Sequence, residues 1–155
     1  MKPIIFSAEM VRAIIDGRKT QTRRVVKGNP RYINPPYGSG DILWVRETWA
    51  YGQPYWYKAT DEKNLVSNGS IKWRPSIHMP RAAARLFLRV TGVRVERLHD
   101  ISDADAHAEG MDSPSYPIIQ FKDLWRDIND KREGCTWDGN PWVWVVEFER
   151  VKNDG

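Results

Sequence analysis

The segment Gly17-Arg18-Lys19-Thr20-Gln21-Thr22-Arg23-Arg24 carries the densest set of chemically useful side chains in this chain. Its Gly-x-Lys-Thr pattern invites a phosphate-cradling loop, but that loop needs a further glycine well before the Gly-Lys step and a helix after it. Neither is found, because a strand is expected to follow Lys19. In a strand, Thr20, Thr22 and Arg24 project to one face while Gln21 and Arg23 project to the other. Lys19 stands where the strand begins and can bend its stem over either side. A lysine beside a hydroxyl, with a carboxylate delivered from elsewhere, activates a weak oxygen nucleophile when burial or nearby cations lower the lysine pKa. On spacing alone, the ordinary reading is an edge strand with solvated basic residues.

The elements that must position this segment are legible on either side of it. Residues 4–6 read as a short strand, and Ser7 stands as an N-cap ahead of Glu9, Met10, Val11, Ile14 and Ile15 at helical spacing. The helix expected over 8–16 stops at Gly17, which has the place of a C′ glycine, and 20–26 alternates as a half-buried strand. Residues 28–40 form a long Gly/Pro-rich loop of the kind that often carries function. Strands are expected over 42–48 and 55–59, and 61–70 is polar and turn-like. Residues 81–85 read as one helical turn or the start of a long strand. That strand runs over 86–98, with a bulge at Gly92. Ser102-Asp103-Ala104-Asp105 is a capping box for a helix over 103–109 ended by Gly110. A second helix over 117–130 carries the stripe Ile118, Phe121, Leu124, Trp125 and Ile128, and 142–151 is the closing strand. In that strand Val143, Val145 and Glu147 face opposite to Trp144, Val146 and Phe148. This order of elements predicts one α+β domain.

Composition narrows the partners. The formal charge is +4, and much of it comes from arginine, which favours planar contacts to phosphate. Eight tryptophans are many for 155 residues, and Trp44, Trp73 and Trp125 stand near Arg46, Arg74 and Arg126. Interleaved rings and guanidinium groups stack on bases and hold phosphates, although most such rings are ordinarily core. On one face of its strand, Trp44 with Arg46 is a stacking platform if it meets the cleft; otherwise Arg46 and Glu47 pair with neighbouring strands. Trp73 and Arg74 are further cleft candidates, and Arg18 is a phosphate or loop contact. The single Cys135 reads as a spare thiol in a polar loop, and no Cys/His cluster has metal spacing, so neither metal nor other cofactor is expected. Of the histidines, His78 is a ligand candidate or a loop-packing residue, His99 is expected at the surface, and His107 points away from Glu109 on its helix. No apolar run is long enough to span a bilayer and no signal peptide is visible, which predicts a cytoplasmic protein, most simply a monomer.

Taken together, Gly17-Arg18-Lys19-Thr20-x-Thr22-x-Arg24, Gly40-Asp41-Ile42-Leu43-Trp44-Val45, Ala106-x-x-Glu109-Gly110-Met111 and Trp142-Val143-Trp144-Val145-Val146-Glu147-Phe148 resemble the ASCH family in its own order. With Met79-Pro80-Arg81 and its Trp-rich insertions, the chain is similar to the longer ASCH-like proteins carried by phages and prophages. The resemblance implies a PUA-like small mixed β-barrel with two or three flanking helices and a cleft for RNA or a modified nucleoside. The best understood relatives are small amidohydrolases that remove the acetyl group of N4-acetylcytidine with a lysine, a threonine and a glutamate. Carried onto this chain, these are Lys19, Thr22 and Glu109. Thr22 would attack the amide carbonyl, Lys19 would take or relay its proton, Glu109 would orient the lysine or protonate the leaving amine, and Arg24 would neutralise the oxyanion. Other relatives look like RNA-binding modules or RNA-cleaving domains. The loops over 28–40 and 61–80, longer than in the compact amidohydrolases, are expected to border the cleft.

Overall fold

A computed structural model describes residues 1–65 and 71–153. The first strand, β1 (Lys2–Ile5), leads into α1 (Ala8–Ile15). The Ser7 hydroxyl accepts the Met10 amide at 3.3 Å, as a cap should. Gly17 closes the helix at φ +79°, and its amide donates to the Ile14 carbonyl at 3.1 Å. The amides of Arg18 and Lys19 both turn back to the Ala13 carbonyl, so the chain leaves α1 sharply and enters β2 (Gln21–Val25).

Next come β3 (Ile42–Arg46), β4 (Trp49–Tyr51), β5 (Tyr55–Tyr57), α2 (Lys58–Asp61), β6 (Phe87–Arg97), α3 (Asp103–Ala108), α4 (Pro117–Asn129) and β7 (Trp142–Val151). Five strands form one sheet in the order β1-β3-β6-β7-β2, and β4 pairs with β5 in a second small sheet. Among the described residues only β1 and β3 run parallel. Where a bulge was expected, the β6–β7 register slips between Val90 and Gly92.

The alternation of β7 sorts the core. Trp144, Val146 and Phe148 pack with Ile4, Phe6, Val11 and Ile14, whereas Val143 and Val145 pack with Phe121, Trp125 and Trp137 under α3 and α4. β1 and β2 end the strand order, and a side chain joins them: Arg24 Nη2 donates to the Ile5 carbonyl at 2.8 Å. Phe6 and Val26, at the ends of these two strands, share one core cluster. The sheet thus curls into the small mixed barrel of an α+β fold, with an opening between its outer strands.

Two elements differ from expectation. The first strand starts earlier, at Lys2, because its backbone pairs along β3 from Lys2↔Leu43. The strand expected over 55–59 stops at Tyr57, whose amide is taken by the Asp61 carboxylate at 2.8 Å; this local bond favours a helical turn and creates α2. Of the two readings of 81–85 the structure takes the helical turn, a 3₁₀ turn over 81–83. From Val66 onward, the turn-like stretch expected over 61–70 lies outside the described residues.

The Ser102–Asp105 capping box is present in both directions, and α3 ends on Glu109 and Gly110. Gly110 has φ +109°, and a Cβ there would meet the Ala13 Cβ at 3.1 Å and the Lys19 Cβ at 3.5 Å. Gly110→Ala should therefore cost about 1–3 kcal/mol through backbone strain, with the crowding against α1 in addition. Gly134, also at positive φ, has nothing within 4 Å of such a Cβ. In urea titrations Gly110→Ala should lose clearly more stability than Gly134→Ala; equal losses would show that the α1–α3 approach is not tight.

Candidate active site

The sharp exit from α1 and the end of α3 bring two backbones side by side. Lys19 and Glu109 form an isolated antiparallel bridge, and the Thr20 amide donates to the Ala108 carbonyl at 2.7 Å. Ladder geometry therefore sets the separation of these two side chains. Lys19 is 3 % exposed. Its Nζ donates to the Gln21 carbonyl at 2.8 Å and the Glu109 carbonyl at 3.0 Å, and lies 3.5 Å from Glu109 Oε1. Its charge also stands 5.6 Å from the centre of the Phe6 ring. Burial pushes the Lys19 pKa below the usual lysine value; Glu109 opposes that shift, while Arg24 and Arg23 add to it.

Glu109 is equally buried. Its Oε1 accepts the Arg23 amide at 3.3 Å, and its Oε2 lies 3.7 Å from Arg23 Nη1 without a hydrogen bond. An orphaned buried carboxylate oxygen at a cavity wall is an acceptor in wait of a donor. Arg23 is held on its far side by Glu96 at 2.8 Å, Asp105 at 3.3 Å and the Gln21 side-chain oxygen. Asp105 thus caps α3 and anchors the guanidinium beside Glu109.

Thr22 is 5 % exposed, and its hydroxyl is met by Arg24 Nε at 3.4 Å. Arg24 lies 5.2 Å from the Phe6 ring centre, and burial lowers its pKa. Lys19, Thr22, Arg24 and Glu109 all line one cavity of about 740 Å³ at the opening between β1 and β2. Its other wall is apolar, made by Phe121, Leu124, Trp125 and Ile128 of α4 with Met10 and Trp144. Tyr37, whose hydroxyl donates to the Pro3 carbonyl at 2.9 Å, brings the 28–40 loop to the rim with Ile33 and Asn34. Such a pocket binds a flat, partly polar ligand between rings and a few fixed polar groups.

The remaining candidates lie elsewhere. Arg18 borders a smaller neighbouring cavity of about 360 Å³, with Nη1 on the Gly110 carbonyl at 2.8 Å. Trp44 is buried in a third cluster with Trp49, Met79 and Phe87, and Arg46 lies over its ring at 4.7 Å. The condition for Trp44 as a cleft platform is thus unmet, because its face of β3 turns to that cluster while Leu43 and Val45 face the barrel core. Trp73 and Arg74 also lie outside the large cavity; Arg74 bridges to Trp49 and lies 4.9 Å from the Tyr51 ring centre. His78 is exposed, as is His99, whose ring bonds the Trp137 carbonyl at 2.6 Å. Cys135 stands in the expected loop but is buried and lines the large cavity, and Trp125 Nε1 donates to its carbonyl at 2.8 Å. Ile128, expected in the core stripe, is 55 % exposed, because the last turn of α4 overhangs the cavity. Sequence reasoning missed Phe6, Tyr37 and Trp144 as cavity residues. Only the placement of Trp144 opposite Val143 and Val145 hinted at one of them.

Among the described residues, no group of three or more His, Cys, Asp and Glu could hold a metal, and no helix is long and apolar enough to cross a membrane. No family model matches the sequence, and no curated protein matches it. Solved structures do. An ASCH domain from Lactobacillus crispatus JV V101 aligns over 98% of this chain and 80% of its own, at 14% identity and TM-score 0.55. A protein of Enterococcus faecalis V583, described by the family model DUF984, aligns over 98% of this chain and 82% of its own, at 15% identity and TM-score 0.54. At such identities the likeness is one of fold, and the fold is that of the ASCH domain, PUA-like and of mixed α+β class.

The buried pair makes a thermodynamic signature. Lys19→Met strands Glu109 in the interior and should cost about 3–5 kcal/mol, whereas Lys19→Met/Glu109→Leu should recover most of that loss. Between the lowered Lys19 pKa and the ordinary 10.5, the unfolded chain holds a proton that the folded chain has released. Wild-type stability should therefore rise with pH across that window relative to the double variant. Parallel stability–pH curves for the two proteins would contradict a desolvated Lys19.

Proposed function

We propose that the protein is an amidohydrolase that removes an acyl group from the exocyclic amine of a cytosine-type base, as in N4-acetylcytidine. The observation that carries this reading is the desolvated Lys19, paired with a Glu109 that keeps one unpartnered oxygen, in the wall of a ring-lined cavity shared with Thr22. A lysine whose pKa is lowered by burial gives up its proton at a lower pH than an exposed lysine and can then act as a general base.

In the first half-reaction, Thr22 Oγ1 bonds to the acyl carbon as its proton passes to Lys19 Nζ. The carbonyl π electrons move onto oxygen, where the Arg24 guanidinium, already on Thr22 Oγ1, offsets the new negative charge. Collapse expels the amine, which takes up the proton held by Lys19, and leaves an acyl ester on Thr22. Water then attacks that ester, gives its proton by way of Lys19 to the threonine oxygen, and frees the carboxylic acid. Glu109 fixes the lysine during both transfers, and its free Oε2 accepts the N–H of the leaving amine. Phe6 and Trp144 supply faces for the base.

Purified protein incubated with N4-acetylcytidine should release cytidine, read by chromatography. Lys19→Ala, Thr22→Ala and Glu109→Ala should each lose most of the rate, and paired replacements should lose little more, because residues acting as a unit are not additive. The rate should rise with pH through an apparent pKa below 10.5 that belongs to the Lys19–Glu109 pair. No turnover on any acylated cytosine sinks this reading.

A second reading, an RNA-binding module, is favoured by a separate observation. Trp44 with Arg46, and Arg74 with Trp49 and Tyr51, gather guanidinium groups over rings outside the cavity, and Tyr51 is exposed. Single-stranded RNA should then bind at low salt, with Arg74→Ala flattening the salt dependence and Tyr51→Ala weakening affinity without changing the slope. Unchanged RNA affinity in both variants removes this surface from consideration.

A further inference from the structure

Charge in the large cavity is lopsided. Its one lining carboxylate, Glu109, is already engaged with Lys19, while Arg24, Lys27 and Arg132 also line it. None of these three has an ion pair among the described residues, in contrast to Arg23, which faces three carboxylates. Burial grades along the same cavity: Lys19, Thr22 and Glu109 are buried, Arg24 is half-buried, and Lys27 and Arg132 are exposed. The reacting groups thus sit at the inner end and two unpaired cations at the solvent end.

The two exposed cations reach the cavity from different elements. Lys27 stands two residues beyond the end of β2, where the Gly28 amide donates to the Val26 carbonyl at 3.1 Å and turns the chain at the cavity. Arg132 comes to the same mouth from beyond the end of α4. At roughly 30 Å³ per small heavy-atom group, the cavity has room for about 25 such groups, more than an acylated nucleoside fills.

Resting on the amidohydrolase reading, we propose that this site takes its acylated cytosine as a nucleotide, with a sugar phosphate held at the mouth by Lys27 and Arg132 and flanked by Arg24. The base then lies between Phe6 and Trp144, and its acyl carbonyl reaches Thr22. Guanidinium and ammonium together suit a phosphate, the first through paired planar donors and the second as a point charge.

Calorimetric titration of wild type with cytidine, cytidine 5′-monophosphate, cytidine 3′-monophosphate and a short single-stranded RNA tests this without requiring turnover. At low salt at least one phosphorylated form should bind about tenfold or more tighter than cytidine. That advantage should vanish in Lys27→Ala/Arg132→Ala, with cytidine affinity and melting temperature unchanged, since both side chains are exposed. Preference for a mononucleotide or for the RNA identifies the source of the phosphate, and either supports the assignment. Equal affinity for cytidine and its phosphates overturns it, as does no binding of any phosphate form. So does an equal loss in Arg150→Ala/Lys152→Ala, whose exposed cations lie outside the cavity lining. The two readings fail separately. Acyl release that is as fast from N4-acetylcytidine as from its nucleotide overturns the phosphate clamp alone, while phosphate-dependent binding without acyl release supports the clamp and overturns the hydrolase.

Discussion

Lys19 and Glu109 are ionisable groups of opposite sign in a place where water does not repay the cost of hiding a charge. Two backbone carbonyls and one carboxylate oxygen receive the lysine, and the carboxylate takes the Arg23 amide. Removing Lys19 would leave the buried Glu109 carboxylate with the Arg23 amide at 3.3 Å and the Arg23 guanidinium at 3.7 Å as its remaining partners. The neighbouring architecture is bound to this contact. Gly17 turns the chain out of α1 so that Lys19 can bridge to Glu109, and Gly110, at positive φ, lets α3 end against α1 at a distance where a Cβ would crowd Ala13.

A second buried pair shows what a purely structural arrangement looks like in the same molecule. Glu47, fully buried, receives Arg85 through two bonds of 3.0 and 2.8 Å, and Arg85 also reaches Thr60 and covers the Tyr57 ring. Both carboxylate oxygens are used, and neither residue lines the large cavity. Between Lys19 and Glu109 the contact is longer, one oxygen is unpartnered, and the cavity is adjacent. Saturated pairs hold elements together; an unsaturated one beside open space has capacity left for a ligand.

That open space follows from the topology. The five-stranded sheet curls until β1 and β2 approach, yet they are joined by the Arg24 guanidinium rather than by a ladder. A side-chain closure leaves room that a continuous ladder would fill. α4 then overhangs the opening with an apolar face, while β2 presents threonine and arginine and the bridge before it presents lysine. The same gap that weakens the barrel creates a cleft with one polar and one apolar wall.

Local chemistry made much of this legible in advance. The Ser7 cap, the Gly17 stop, the Ser102 capping box, the bulge at Gly92 and the two faces of β7 all depend on residues close in sequence, and all are present. Resemblance brought Lys19, Thr22 and Glu109 to attention, whereas only the fold brings Lys19 against a carboxylate ninety residues away. Alternation along a strand fixes which side chains share a face but not what that face meets. Trp44 and Trp144 both stand in clean alternating strands, yet the pairing of β3 between β1 and β6 turns Trp44 to a closed cluster, while β7 beside β2 turns Trp144 to the cavity. Parity is written in the sequence; strand order decides which parity lines the cleft, because that order is set by backbone pairing between segments far apart in the chain.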